Sequence, residues 1–141
     1  LERPQFSKTS DYKKGGGFEY VGSIMPIERY PECYQKGRKI SERHSIPYTV
    51  TGRCIGVGHG MMFAWTYAFN RADPETINQA REALYETDDL VLRLGGVIWK
   101  PGSYGQKLLL QRFDPNTLTL MKNIKKLLDP NGIMNPGNWE V

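Results

Sequence analysis

Residues 47–75 read PYTVTGRCIGVGHGMMFAWTYAFNRADPE, and this stretch decides the fold more than any other. Pro47–Ile55 and Met61–Phe69 are rich in β-branched and aromatic residues, which favours strands. The glycine-rich turn between them is so short that it permits only an antiparallel hairpin. Asp73-Pro74 follows the hairpin and predicts a helix start, with Asp as the N-cap and Pro at the first helical position.

The flanking sequence repeats the same kinds of pattern. Upstream, FEYVGSIM (Phe18–Met25) alternates in polarity and predicts a strand, and apolar residues at intervals of three and four predict a helix from Ile27 to about His44. Downstream, the helix that starts at Pro74 is expected to end at Leu94, and Val97–Trp99 predicts a short strand. A last helix begins at a second Asp-Pro pair, residues 114–115.

The order β-α-β-β-α-β predicts an α+β protein of the ferredoxin-like class. We expect a four-stranded antiparallel sheet with helices on one face and a helical C-terminal extension. We expect the chain to divide into three parts: a flexible entry segment at 1–16, a cap or substrate domain at 17–113, and a C-terminal helix and turn at 114–141. The other face of the sheet carries aromatic residues, so we expect another layer or partner to cover it.

Composition excludes several classes of protein. The chain has 141 residues, of which 39% are apolar and 24% charged, as in a soluble domain with one core. Its apolar runs are far shorter than the roughly 20 residues of a membrane span. The net charge of +4 favours anionic partners, but the basic residues are scattered, so nucleic acid is not indicated. Two cysteines are too few for a disulfide scaffold, which favours a reducing, cytoplasmic location.

The stretch MKNIKKLLDPNGIMNPG (Met121–Gly137) is the most specific motif. Physically it is a basic amphipathic helix that Pro130 stops, followed by two tight turns. It resembles the C-terminal signature of the FAD-linked oxidases of the vanillyl-alcohol oxidase and p-cresol methylhydroxylase superfamily. The resemblance extends over residues 17–139, through a strand like FEYVGSIMP, a strand followed by FNRADPE, a long helix and a Gly-Gly strand.

That resemblance implies the cap or substrate domain of a flavoprotein. The domain that binds most of the FAD is absent from this chain, so we expect it in a separate subunit or in a lost part of a longer polypeptide. The implied reaction is hydride removal from a carbon that bears a hydroxyl, or from a benzylic carbon, to flavin N5. The implied partners are a small substrate and an electron acceptor, in a hetero- or homo-oligomer.

Two candidate catalytic residues follow from this resemblance. His59 lies in the glycine turn, where related dehydrogenases carry metal-binding histidines. It is an acid/base candidate, although an ordinary turn residue and a metal ligand remain alternatives, and the lack of further nitrogen ligands argues against metal. Tyr104 follows Pro101-Gly102 in a segment that could line the same cleft.

The candidate binding residues come mainly from the end of the last strand. Trp99-Lys100 stands where the aryl-alcohol branch of the family carries a Tyr-Arg pair that grips a phenolate. Lys gives a point charge, which favours a carboxylate instead, and Arg53 is a second candidate anchor. The resemblance also implies that Asn135 and Gly137 help to complete the flavin site.

We therefore expect an FAD-dependent oxidoreductase that acts on a 2-hydroxy acid. An aryl-alcohol or alkylphenol oxidase or dehydrogenase is the alternative within the superfamily. A non-catalytic ferredoxin-like binding or assembly module is the alternative from another class, with the exposed sheet face as its partner surface.

Overall fold

The structure, a computed structural model, describes residues 16–139, so nearly all of the predicted entry segment at 1–16 lies outside the described residues. The strands are β1 (Gly16–Pro26), β2 (Tyr48–Ile55), β3 (Gly60–Asn70) and β4 (Val97–Lys100). The helices are α1 (Tyr30–Arg43), α2 (Pro74–Arg93), α3 (Ser103–Leu110) and α4 (Pro115–Leu128), and a 3₁₀ turn, Ile27–Arg29, precedes α1.

The four strands form one antiparallel sheet with the order β2-β3-β1-β4. This is the order of the predicted ferredoxin-like fold, and the hairpin of β2 and β3 is antiparallel as its short turn requires. The predicted α+β class is therefore confirmed.

Strand alternation gives the sheet two unlike faces. On one face Val21, Ser23 and Met25 of β1 lie opposite Trp65, Phe63 and Met61 of β3, and all six side chains are buried. The Trp65 Nε1–H donates to Ser23 Oγ at 2.9 Å, and the Ser23 hydroxyl donates to the Phe63 carbonyl at 3.2 Å. The Trp65 and Ser23 side chains are thus paired, as burial requires, whereas the Tyr48 hydroxyl on the same face forms no hydrogen bond with the described residues.

Helices α1 and α2 cover that buried face. Gly37 lets α1 approach so closely that a β-carbon there would overlap the Tyr48 phenol and come within 2.9 Å of the Trp65 ring. On α2 the Thr87 hydroxyl lies 2.7 Å from Tyr67 Oη, which belongs to the same face of β3. Both predicted helices therefore lie on one side of the sheet.

The two Asp-Pro helix starts are confirmed. Asp73 Oδ1 accepts from the Glu75 N–H at 3.0 Å, and Asp114 Oδ1 accepts from the N–H groups of Asn116 and Thr117 at 2.9 and 3.1 Å. Helix α3 was not predicted, because Gly102 supplies no side-chain cap and the run Leu108–Leu110 shows no helical period.

The described chain forms two compact units, which divide between Lys100 and Pro101. The first unit holds the sheet with α1 and α2, and the second holds α3, α4 and the C-terminal turn. The functional boundary expected after residue 113 stays a prediction.

Asp88 is an exception to the polar pairing of the core. Its side chain on α2 is buried, and its Oδ1 accepts no hydrogen bond from the described residues. Burial, and secondarily the neighbouring Asp89, raises the pKa of this carboxyl to about 7.

We expect Gly37→Ala to destabilise the protein, because overpacking against Tyr48 and Trp65 outweighs the better helix propensity of Ala. Overpacking costs about 1–3 kcal/mol and the propensity gain is about 1 kcal/mol, which leaves a net loss of up to about 2 kcal/mol in the free energy of unfolding. The overlap with the Tyr48 phenol favours the upper part of that range, and urea titrations measure it. Gln35→Ala, on the exposed side of α1, is the control and should cost nothing. A Gly37→Ala variant as stable as the wild type would contradict the close approach of α1 to the sheet.

Asp88 predicts a pH dependence of stability. Between about pH 4 and pH 7 the folded state holds a proton on Asp88 that the unfolded state has released, so wild-type stability should fall as the pH rises. The free energy of unfolding of Asp88→Asn relative to the wild type should therefore grow with pH, by up to about 1.4 kcal/mol per pH unit. Glu82→Gln on the same helix is the control. If the free energy of unfolding of Asp88→Asn relative to the wild type varied with pH as little as that of Glu82→Gln, the raised pKa of Asp88 would be refuted.

Candidate functional site

The uncovered face of the sheet contains a cleft of about 240 Å³ in the first unit. All four strands contribute to it. The side chains of the open face that line it are Tyr20, Thr51, Arg53, Met62, Ala64 and Trp99. This volume and this mixture of aromatic, apolar and charged groups suit a small organic molecule.

Small residues at the centre of the sheet create the depth of the cleft. Gly22 of β1 lies opposite Ala64 of β3, and Thr51 of β2 lies on the other side of Ala64. The Trp99 indole covers Gly22 so closely that a β-carbon there would come within 2.5 Å of the ring. Tyr20 stands beside Trp99, with 6.2 Å between the ring centroids. The result is a shallow floor with aromatic walls.

Arg53 supplies the positive charge of the cleft. It lies on β2 opposite Met62, and it forms no ion pair with any described residue. Tyr48 of the same strand points to the helix-covered face, as its opposite parity predicts. Arg53 is thus an uncompensated guanidinium, which can bind a carboxylate through two parallel hydrogen bonds.

Lys100, the first anchor expected from the sequence, lies beside a carboxylate and an aromatic ring, and its role toward a substrate stays a prediction. It is not among the residues that line the cleft. Its Nζ lies 3.7 Å from Glu19 Oε1 and 4.3 Å from the centroid of the Tyr20 ring. A cation that already has a carboxylate and an aromatic face beside it is a weaker anchor than Arg53.

The two candidate catalytic residues do not line this cleft. His59 is exposed in the turn between β2 and β3, where its backbone N–H donates to the Gly56 carbonyl at 3.1 Å. Arg53 lies at the same end of β2 as this turn. Tyr104 lies on α3 in the second unit and is half-buried. Their catalytic roles stay predictions.

The C-terminal motif forms a turn organised by the buried carboxylate of Asp129. Its two oxygens accept from the backbone N–H groups of Ile133 and Met134, both at 2.9 Å, and from Lys125 Nζ. The hydrogen bond from Lys125 lowers the pKa of this carboxyl below its ordinary value, and the two backbone donors act in the same direction. Gly132, with φ +65°, provides the left-handed residue that the reversal needs.

Asn135 and Gly137 lie after this reversal, with φ +46° and +84°. Together with Lys125 and Trp139 they line a cavity of about 240 Å³ in the second unit. The backbone N–H of Trp139 donates to Gln106 Oε1 at 2.8 Å and holds this residue in place. Positive φ is common for Asn and Gly, so turn geometry alone accounts for both residue types, and their role toward a cofactor stays a prediction.

Tyr20 and Thr51 are cleft residues that the sequence did not single out as site residues. The alternation of Phe18–Met25 is consistent with Tyr20 lying on the same face of β1 as Gly22, but it does not identify the strands that flank β1. Strand order and register decide which residues share a cleft, and a single sequence does not report them.

The residues of the cleft fit the flavin end of FAD and not its phosphates. The aromatic and apolar surface suits a flat ring with a small substrate, and Arg53 suits an anionic group. A pyrophosphate needs several converging backbone N–H groups, usually at the start of a helix. The glycines of residues 56–60 lie in a hairpin turn and offer no such helix.

Residues 16–139 offer neither a metal-binding cluster nor a membrane-spanning helix. These residues hold no group of three or more His, Cys, Asp or Glu side chains that could bind a metal ion. Their helices include none with both the length and the apolar character of a membrane span.

Comparison with curated proteins finds relatives among flavoenzymes. The chain is 26% identical over 125 residues to an uncharacterized FAD-linked oxidoreductase of Mycobacterium tuberculosis, covering 86% of this chain and 25% of that protein. It is 25% identical over 121 residues to D-2-hydroxyglutarate dehydrogenase of Haemophilus influenzae, covering 82% of this chain and 11% of that protein. The chain thus spans a quarter or less of the length of these relatives.

Comparison with solved structures finds the same fold. The 4-ethylphenol oxidase of Gulosibacter chungangensis, in complex with isoeugenol, matches 90% of this chain and 25% of its own, with a TM-score of 0.78 and 23% identity. A p-cresol methylhydroxylase with bound substrate matches 89% of this chain and 24% of its own, with a TM-score of 0.70 and 20% identity.

A family model matches nearly the whole described part of the chain. The model is that of the C-terminal domain of FAD linked oxidases, and it covers residues 15–139. This agrees with the resemblance seen in the C-terminal motif and with the solved structures of the same fold. The chain belongs to the FAD linked oxidase family and corresponds to its C-terminal domain.

Proposed function

We propose that this chain is the substrate-binding part of an FAD-dependent oxidoreductase that oxidises a 2-hydroxy acid. Family membership supports the flavin, and the single observation that carries the substrate class is Arg53, an unpaired cation in an aromatic-walled cleft. A buried anion needs a charged partner, and no other cation lines this cleft among the described residues. The name of the D-2-hydroxyglutarate dehydrogenase relative is consistent with such a substrate.

In this proposal three residues of the cleft bind and orient the substrate. Arg53 holds the substrate carboxylate, while Tyr20 and Trp99 exclude water and orient the carbon chain. Lys100, on the edge strand β4 and beside the Tyr20 ring, adds positive charge near the Tyr20 wall of the cleft. The hydroxyl proton goes to a group outside the lining of this cleft, and His59 and Tyr104 stay the predictions from the sequence for that role. When bound, FAD supplies the hydride acceptor.

The proposal includes a flavin-binding partner, either a separate subunit or a further part of the same polypeptide. Residues 16–100 of the first unit offer no phosphate cradle, so in this proposal the partner holds the remainder of FAD. The second unit offers an apolar surface for contact, because large hydrophobic side chains there are exposed. They are Leu120, Ile124, Leu127, Leu128, Ile133 and Met134. Exposed patches of this kind mark interaction sites.

The electron acceptor, the oligomeric assembly and the cytoplasmic location remain predictions from the sequence. An aryl-alcohol or alkylphenol substrate is the second candidate, and the aromatic walls formed by Tyr20 and Trp99 favour it. A non-catalytic module is the third candidate, and the open sheet face would then be its partner surface.

Substitution of Arg53 distinguishes these substrates. In the flavin-containing complex, Arg53→Met should raise KM for 2-hydroxy acids and leave the flavin content unchanged. A hydrogen-bonded charge contact contributes about 1.5–3 kcal/mol, so kcat/KM should fall by about 10- to 100-fold, and Arg53→Lys should restore part of it. Lys100→Met should change kcat/KM much less.

Arg81→Met, an exposed cation on α2, is the control and should have no kinetic effect. If Arg53→Met left KM for hydroxy acids unchanged while Lys100→Met raised it, the anchor would be Lys100. If neither variant affected hydroxy acids and neutral aryl alcohols were oxidised normally, the aryl-alcohol alternative would replace the proposal.

A further inference from the structure

A second cleft lies between α1 and α2, away from the open sheet face and wholly within the first unit. Its volume is about 230 Å³. Its lining residues are Lys36, Lys39, Ile40 and Arg43 from α1, with Glu86, Leu90 and Arg93 from α2. The positions on α2 are four and three residues apart, and those on α1 fall at 36, 39–40 and 43, so each helix presents one stripe along the shared cleft.

The floor of this cleft is apolar and its rim is cationic. Ile40 and Leu90 are buried at the base. Two of the four cations already have a partner: Lys36 Nζ lies 3.0 Å from Glu32 Oε1, and Arg43 pairs with Glu86. Positive charge beside an apolar floor is screened less than on an open surface.

Lys39 and Arg93 are the remaining two cations, one on each helix. Neither forms an ion pair with another residue in the range 16–139. The acidic residues nearest to them along α1 are committed elsewhere, since Glu32 binds Arg29 and Lys36, and Glu42 binds Arg38. Glu86, the one carboxylate that lines the cleft, accepts from Arg43 and lies 2.9 Å from His44 Nε2. The cleft therefore has more positive charge than its own carboxylates balance.

We propose that this cleft binds a small polyvalent anion of the phosphate or polycarboxylate class. Lys39 and Arg93 are its principal ligands: Arg93 offers a planar fork to two oxygens, and Lys39 offers a mobile point charge. Lys36 and Arg43 add to the field from their paired positions. An anion held in this way joins α1 to α2, the two helices that cover the sheet, and so stabilises the folded state by mass action. The site is separate from the proposed substrate cleft and uses none of its residues.

Calorimetric titration of the full chain with inorganic pyrophosphate, at constant ionic strength, tests this site. Wild-type protein should bind it, with a matching rise in Tm. Lys39→Gln and Arg93→Gln should each weaken binding by about tenfold or more, because each removes one charge-assisted contact. Both side chains are exposed, so the variants should fold normally.

Arg38→Gln is the matched control. It removes the same charge from the neighbouring position of α1, but Arg38 pairs with Glu42 and does not line the cleft. It should change the pyrophosphate affinity less than twofold. Citrate in a parallel titration separates phosphate from carboxylate chemistry, and either anion with this pattern of variants supports the site. Absence of binding to the wild type, or equal weakening by Arg38→Gln and Lys39→Gln, overturns the proposal.

Discussion

The close approach of α1 and α2 to one face of the sheet is the constraint on which the rest of the structure depends. Gly37 allows α1 to lie against Tyr48 and Trp65, and the paired hydroxyls of Thr87 and Tyr67 join α2 to β3. With both helices on this face, residues 16–100 include no further α-helix for the opposite face of the sheet. The side chains of that opposite face therefore remain available for a ligand.

The character of the open face follows from alternation along the strands. Every residue that packs under the helices has neighbours in sequence that point the other way, so the hydrophobic pattern that builds the core also sets the lining of the cleft. The small residues Gly22 and Ala64 form the floor of the cleft, and the larger side chains of Trp99, Tyr20 and Arg53 form its walls. A flavoenzyme domain needs such a surface, because the cofactor supplies the reactive atoms while the protein supplies shape and charge.

Much of the fold could be predicted from short sequence patterns. The Asp-Pro starts at 73 and 114, the glycine turn and the strand alternation gave the correct class, and the C-terminal motif gave the correct family. Helix α3 was missed because it has no capping side chain. The ranking of Lys100 above Arg53 rested on position along one strand, whereas Glu19 and the Tyr20 ring beside Lys100 are neighbours that only the sheet register brings together. The roles of His59, Tyr104, Asn135 and Gly137 depend on a partner surface, so the sequence of this chain alone does not decide them.

The central claim is that this chain works as the substrate side of a flavoenzyme. Isolation of the chain under native conditions, with the polypeptide that accompanies it, followed by a visible absorption spectrum, tests this claim most directly. The account predicts a flavin band in constant proportion to the chain, with bleaching of that band when a suitable 2-hydroxy acid is added in the absence of oxygen. A stable, colourless protein that carries no flavin and associates with no flavin-binding polypeptide would contradict it.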